Sequence, residues 1–579
     1  LKQKQMAILM TMTIGIFLCM LDTTVMNIAL PAIQTGLHTD LDTLQWALNV
    51  YTITFAAFTI PLGRIADQFG RNKVYFAGLI LFLLGSLTSA SSSTVAILII
   101  GRALQSIGAA IVFPASMTIG INSVQLSKRN TAVLILGITQ GLAAAFGPTI
   151  GGLLTQFCGW RGIFYINVLL VLLAAIMCVA LLPMKNENIV EAKLDISGMC
   201  LVILLLFSLT LALVKASAWG WTSGKILILF VGFVIALILF IWRESMASDP
   251  MIRLDLFKYR HFTGAVVMTV LSGILFVGVM VLMPSFFTKI QGHTELDAAL
   301  MITPASIMVF LLSPVSGLLL KKMGARQLIA LGIVLLGLGY VGLSVMNPRI
   351  YWQFAISCIL IGTGYGIIIG PITVLSAGDF TGELLTASQS VTGVFRQIGT
   401  VLAVAIFVSA LSTNLVTAKA QVWSAARKEV KKLSVSQTRQ KHILKVTHQN
   451  LYSTESTTTS NKPVIGAKTQ TGIISKETKQ YLVENHGTQW PQSAKRKVQT
   501  KIAIVVREKV RKINQQVHRY QEFLSQIVKN KMTTAFIKPY QVAMPFAWLF
   551  LFATLIFKKR KKKILKTCSQ ISEQKSRNC

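Results

Sequence analysis

A chain of 579 residues that is 53% hydrophobic and only 13% charged, with a mean hydropathy of +0.62, cannot cover a water-facing surface, which takes about 25% charged residues. The net charge of +35 is segregated: residues 414–540 hold 24 Lys+Arg against 6 Asp+Glu, and residues 558–579 hold 9 against 1. The remaining body carries about one charge in twelve residues, which excludes a soluble enzyme, a disordered regulator and a nucleic-acid-binding globule.

About 20 mainly apolar residues cross roughly 30 Å of hydrocarbon as a helix. Such runs lie near 7–30, 44–63, 74–92, 95–120, 131–155, 163–183, 197–215, 225–242, 263–287, 298–320, 327–346, 352–376, 390–412 and 541–557. The ten-residue alternating strands of a closed barrel are absent, so an all-α membrane protein with 14 transmembrane helices is predicted. The first run is too long for a cleavable signal peptide and lacks a small-residue cleavage site. No cysteine pair has metal-ligand spacing, so neither disulfides nor metal are expected. There is no P-loop, which makes a proton gradient rather than ATP the expected energy source, with no cofactor.

One set of short loops carries Arg64, Arg71 and Lys73; Lys128 and Arg129; Lys185 and Lys193; Arg243, Arg253, Lys258 and Arg260; Lys321, Lys322 and Arg326. The alternate set has little beyond Arg161, Lys289 and Arg349. Basic loops stay on the cytoplasmic side, which predicts both termini in the cytoplasm, with Lys558–Lys563 anchored near anionic lipid. The basic segment 414–540 then lies outside, as loops beyond about 60 residues are exported largely regardless of charge.

Gly63 and Gly70 end the second run and are followed by Arg71; Gly317 and Gly324 end the tenth and are followed, after Ala325, by Arg326. The offset of 254 predicts two like-oriented six-helix bundles, with spans 7 and 8 as an inserted pair. The expected divisions are an N-terminal bundle (1–190), the inserted pair with its linker (191–262), C-terminal helices (263–413), the external insert (414–540), the last helix (541–557) and a cytoplasmic basic tail (558–579).

The 63–73 stretch, GRIADQFGRNK, resembles the signature loop of the major facilitator superfamily, with Gln68 where an Arg is usual. Further motifs arrive in the order of the 14-helix drug:proton antiporter branch. They are Leu21 to Pro31 (LDTTVMNIALP); Arg102 with Gln105, Gly108 and Ala109; Gly141 and then Gly147 to Gly152 (GPTIGG); Trp160 to Val168 (WRGIFYINV); and Arg396, Gln397, Ile398 and Gly399 (RQIG). The resemblance covers 1–413 and 541–557. It implies a multidrug exporter with Asp22 and Arg102 in proton coupling, and a conformational gate at Gly63, Asp67, Gly70 and Arg71. It also implies an antiporter-motif hinge at Gly141, Gly147, Pro148, Gly151 and Gly152, and a helix 13 signature at Arg396, Gln397 and Gly399.

Elementary chemistry gives these residues meaning. A carboxylate at the depth of Asp22 costs about 2.5–3.5 kcal/mol, and desolvation disfavours its charged form. Such a group can take a proton from one phase and release it to the other, and a bound organic cation could compete with that proton. Arg102 cannot deprotonate and needs water, a carboxylate or carbonyls. Glycines four apart let helix backbones meet, and Pro148 bends its helix. Asp67 is placed to pair with Arg71 or a helix N-terminus, whereas the second copy has Lys321 at that position, giving an asymmetric gate. Span 10 has no interior acid, which favours neutral or monocationic amphiphiles over dications.

In the insert, Leu411, Leu415, Ala418, Val422, Ala426, Val430 and Leu433 share one helical face, as do Val506, Val510, Ile513, Val517, Tyr520, Leu524 and Ile527. With the polar stretch 453–461 as a tip, these predict an extracellular antiparallel hairpin whose basic face meets anionic lipid or wall polymer. The leading expectation is an antiporter of a bacterial plasma membrane that exports amphiphilic drugs or toxic compounds. A flippase for an envelope lipid or its precursor, and a non-transporting scaffold or sensor, are the alternatives. Small amphiphilic substrates and membrane lipids are the expected partners; nucleic acid is not.

Overall fold

The computed structural model describes residues 3–39, 41–125, 128–185, 187, 195–247, 250, 252, 254–347, 350–378, 380–452, 467–485 and 489–557. The 453–461 tip, the Lys558–Lys563 run, Lys193, Arg253, Arg349 and Asp379 lie outside them. Among the described residues there are helices and no strands. Backbone polar groups placed in oil must be satisfied within their own segment, and helices do this.

The helices are α1 (Gln3–Gly36), α2 (Leu41–Phe69), α3 (Arg71–Ala90), α4 (Val95–Asn122), α5 (Arg129–Cys158), α6 (Gly162–Leu181), α7 (Ile196–Trp219), α8 (Gly224–Met246) and α9 (Arg260–Phe286). They continue with α10 (Glu295–Met323), α11 (Ala325–Val345), α12 (Tyr351–Ala377), α13 (Gly382–Val430), α14 (Gln437–Tyr452), α15 (Ala467–Glu484) and α16 (Gln492–Leu549). Among the described residues, thirteen helices are long and apolar enough to cross a membrane. The fifth predicted span is a pair, Thr131–Ala143 and Phe146–Cys158, bent by 43°. Pro148 lies just past the bend and supplies no N–H to the carbonyl four residues earlier.

The chain divides into two compact units, Leu1–Ala410 with Pro539–Cys579, and Leu411–Lys538. In the first, the repeat is visible in the backbone. Gly70 precedes α3 with φ 101° and ψ 124°, and Gly324 precedes α11 with φ 82° and ψ 154°. Both conformations are costly for a residue with a Cβ. Gly63 of α2 faces Ser390 of α13, while Gly317 of α10 faces Leu134 of α5, so second and fifth helices of opposite repeats meet twice. Gly70→Ala is expected to lower stability by about 1–3 kcal/mol, read as a fall in the thermal midpoint of the purified protein; an unchanged midpoint would count against the backbone assignment.

The pair α7–α8 packs on α2 and α13. Val202, Leu205 and Leu206 pack with Ala57, Ile60, Ala236, Phe240 and Val394, and Leu213 packs with Val401 and Ala405. Lys215 is buried with its ammonium 3.9 Å from the Trp46 ring centre. Asp195 caps α7 through the Gly198 N–H (3.0 Å) and accepts from Ser197 (2.7 Å) and from Arg243 of α8 (3.1 Å). Burial pushes its carboxyl up, but these hydrogen bonds and the Arg243 charge outweigh it and hold the group below the usual carboxylate range. At the chain's end Tyr540 packs on Tyr340 and Phe407, and Phe557 fills the notch at Gly264.

The second unit differs from the predicted hairpin. Its outgoing and returning arms are the distal part of α13 and the proximal part of α16, but α14 and α15 intervene. Ala426, Val430 and Leu433 form a core with Tyr520, flanked by Ile443 and Leu444 of α14. Ile474 of α15 forms another with Val506 and Val510. The anticipated apolar faces are thus the buried ones, while two polar-rich helices occupy what the sequence presents as connecting chain.

Candidate functional site

Asp22 sits on α1 with 3% of its surface exposed, and Arg102 on α4 with 1%. Arg102 Nη1 donates to Asp22 Oδ2 at 2.6 Å. The other carboxylate oxygen, Oδ1, accepts from Gln105 Nε2 at 2.9 Å and from Asn167 Nδ2, on α6, at 2.8 Å. Gln105 also accepts from Arg102 at 2.7 Å and donates to Ser86 of α3 at 2.9 Å. The guanidinium lies 4.2 Å from the Tyr51 ring centre on α2, and its Nε donates to the Ala47 carbonyl at 3.4 Å. One polar knot therefore ties α1, α2, α3, α4 and α6 together.

Helix packing makes room for this knot. Between α3 and α4, a Cβ on Gly108 would come 2.5 Å from the Phe82 nitrogen and 2.6 Å from the Gly78 carbonyl. Backbones that close bring Ser86 and Gln105 within hydrogen-bonding distance. Both oxygens of Asp22 are engaged, and they face the interior of the first bundle. Direct capture of an organic cation by this carboxylate is not what the geometry offers. The group instead holds a buried ion pair that a proton would dissolve. Such a pair is favourable only while complete, since losing one partner leaves an uncompensated charge.

The small residues of α5 point two ways. A Cβ on Gly147 would overlap Thr24, and one on Gly151 would meet the Val25 backbone at 3.1 Å; both neighbours are on α1, beside Asp22. Gly141 and Gly152 face α10, near Val309 and Leu296, and Thr149 hydrogen-bonds Thr303 at 3.1 Å. Pro148 lies between these faces. Thus α5 touches both α1 in the first half and α10 in the second.

At the 63–73 loop, Arg71 Nε donates to Asp67 Oδ1 at 2.6 Å, and Asp67 is 3% exposed. Lys321, its counterpart in the second repeat, is exposed. Glu187, unremarked in the sequence, accepts the N–H groups of Asn72 (2.7 Å) and Lys73 (3.1 Å) at the start of α3, where a negative charge suits the helix dipole. Across the seam, Arg129 donates to the Phe380 carbonyl. On α13, Arg396 donates to Gln140 of α5, Gln397 is buried, and a Cβ on Gly399 would come 3.1 Å from the Val270 Cα of α9.

The structure brings Asp22 and Arg102 together and sets Gly147 and Gly151 beside α1, whereas Gly141 and Gly152 face α10, Gly63, Asp67, Gly70 and Arg71 lie in and around the α2–α3 junction rather than in a loop, and Arg396 lies on α13. Asn167, Ser86, Tyr51, Gln140 and Lys215 were not singled out from sequence. Their signal is a polar side chain or a tyrosine deep in an apolar run. No group of three or more His, Cys, Asp or Glu residues capable of holding a metal occurs among the described residues.

The Major Facilitator Superfamily model matches residues 12–404. The multidrug resistance protein Stp of Mycobacterium tuberculosis (strain CDC 1551 / Oshkosh) is 29% identical over 416 residues, covering 72% of this chain and 77% of Stp. The multidrug transporter protein MdtP of Bacillus subtilis (strain 168) is 30% identical, with 72% and 78% covered. The tetracenomycin C resistance and export protein of Streptomyces glaucescens is 27% identical, with 69% and 74% covered. The fold is similar to the crystal structure of the human organic anion transporter MFSD10 (TETRAN), with a TM-score of 0.50 and 13% identity over 70% of this chain and 94% of that one. With its two glycine-marked repeats and its many apolar helices, the chain belongs to the Major Facilitator Superfamily: it is a multi-pass membrane transporter related to multidrug and antibiotic resistance exporters, and not an enzyme.

Proposed function

We propose that this protein is a proton-coupled antiporter that exports amphiphilic drugs or toxic compounds across a bacterial plasma membrane by alternating access. In this reading the chain crosses fourteen times with both termini cytoplasmic, the bent α5 pair counting as one crossing. The observation that carries it is the buried Asp22–Arg102 pair, 2.6 Å apart and held by Gln105 and Asn167. Protonation of Asp22 neutralises one partner and leaves Arg102 buried and uncompensated, which favours any conformation where Arg102 finds water or another acceptor. The proton therefore biases a two-state equilibrium, and a ligand that prefers one of the two states is coupled to it. The α5 glycines give α1 and α10 a common surface through which the halves can exchange positions.

The basic insert is assigned to the outer face, where anionic lipid or wall polymer is its partner by charge. The transport reading is tested in proteoliposomes with an acidic lumen. An amphiphilic fluorescent dye should concentrate inside beyond the level of protein-free vesicles and leave when a protonophore is added. Equilibration without concentration, at any imposed gradient, would refute antiport.

A further inference from the structure

The seam between the halves carries a charge that the Asp22–Arg102 pair does not explain. Arg396 lies in the first third of α13, with Gln140 of α5 as its hydrogen-bond acceptor and its guanidinium 5.5 Å from the Phe113 ring centre on α4. Its Nε is buried with no hydrogen-bond partner. The Tyr365 hydroxyl of α12 lies within electrostatic reach, and that ring stacks on Phe276 of α9 at 4.2 Å. All these partners are neutral.

Among the described residues no acid pairs with Arg396. Between their ends, α4, α5, α9, α10, α11 and α12 contain neither Asp nor Glu, and the acids of α13 stand near its two ends at Glu383 and Glu429. Asp22 is held by Arg102 inside the first bundle, and Asp67 is held by Arg71 at the end of α2. A guanidinium cannot shed its proton, and buried charges are ordinarily paired. Arg396 thus stands as a permanent, unneutralised cation between two halves, flanked by aromatic rings and a spare donor.

We propose that Arg396, with Gln140, Phe113 and Tyr365, is the recognition site for the anionic group of the exported amphiphile, so that the preferred substrates are organic acids rather than organic cations. The guanidinium offers a charge-assisted hydrogen bond to a carboxylate or phenolate, while the rings accept the apolar body. An organic cation meets like charge with nothing to offset it. The inference rests on the export reading and names the substrate class of that transporter.

The test is calorimetric titration of the purified full chain in nanodiscs at neutral pH with three probes of one shape: 1-naphthylacetate, its methyl ester, and 2-(1-naphthyl)ethylammonium. The carboxylate should bind at least about tenfold more tightly than the ester, as for a hydrogen bond to a charged group, and the ammonium most weakly. Arg396→Gln should bring carboxylate and ester to within about twofold, while Arg396→Lys keeps the order. The wild-type comparison decides the matter even if Arg396→Gln does not fold. Equal binding of carboxylate and ester, tightest binding of the ammonium, or an undiminished preference in Arg396→Gln overturns the inference and leaves export standing. Absence of binding by all three probes counts against both.

Discussion

Asp22→Asn should abolish concentrative transport while leaving substrate binding and downhill flux in place. Asparagine keeps the size of the side chain and can still accept from Gln105 or Asn167, which donate to Asp22 Oδ1 at 2.9 and 2.8 Å. What it loses is the charge that Arg102 meets at 2.6 Å and the ability to exchange a proton. A gradient of about 150–200 mV supplies roughly 3.5–4.6 kcal/mol per charge moved, enough for a few hundred- to a few thousandfold accumulation. Without the proton-carrying group that ratio should fall to about one. Accumulation is read as the inside-to-outside dye ratio in proteoliposomes under an imposed gradient, with downhill efflux from preloaded vesicles as the control. A variant that still concentrates dye would move the proton site elsewhere.

The second large effect is on stability. Arg102→Gln strands the Asp22 carboxylate in a site 3% exposed to solvent, and breaking a buried pair by removing one partner costs about 3–5 kcal/mol. The double variant Asp22→Asn/Arg102→Gln removes both charges and should recover most of that loss while remaining inactive in uphill transport. Unfolding in SDS of the two singles and the double closes a mutant cycle. An interaction energy of several kcal/mol is expected; additivity within about 0.5 kcal/mol would show that the two side chains do not depend on each other.

The positions of the helices were legible because oil imposes one rule on every span, a run of apolar residues of fixed length. The fifth run is bent, and its cause, Pro148 beyond Ala144 and Ala145, was already in the sequence; the last run passes from α16 into a 3-10 helix at Phe550. Asp22 and Arg102 were also visible, since a charge inside such a run is conspicuous. Gln105 and Asn167 stood within recognised motifs, but their meeting with Asp22 was not visible. A helix that is apolar all round has no stripe to fix which face turns inward, so nothing in α6 alone says that Asn167 meets Asp22, and nothing in α3 says that Ser86 meets Gln105.

The insert failed for the opposite reason. Its α14 and α15 carry few apolar positions, chiefly Ile443 and Leu444 in one and Ile473 and Ile474 in the other. A short polar segment has little tendency to form a helix by itself, and these gain theirs by packing on the longer arms. Arg396 shows a third kind of limit. The RQIG motif could be recognised, but that its cation has only neutral neighbours depends on α4, α5 and α12 arriving from distant parts of the chain.

The most direct measurement is the proton released when substrate binds. Purified protein in weakly buffered solution with a pH indicator is mixed with an exported amphiphile at saturating concentration. The account predicts release of up to one proton per protein by the wild type, greatest at a pH where Asp22 is partly protonated, and none by Asp22→Asn. Equal release by both proteins, or none by the wild type at any pH from 5 to about 9 with a substrate that binds, would contradict it.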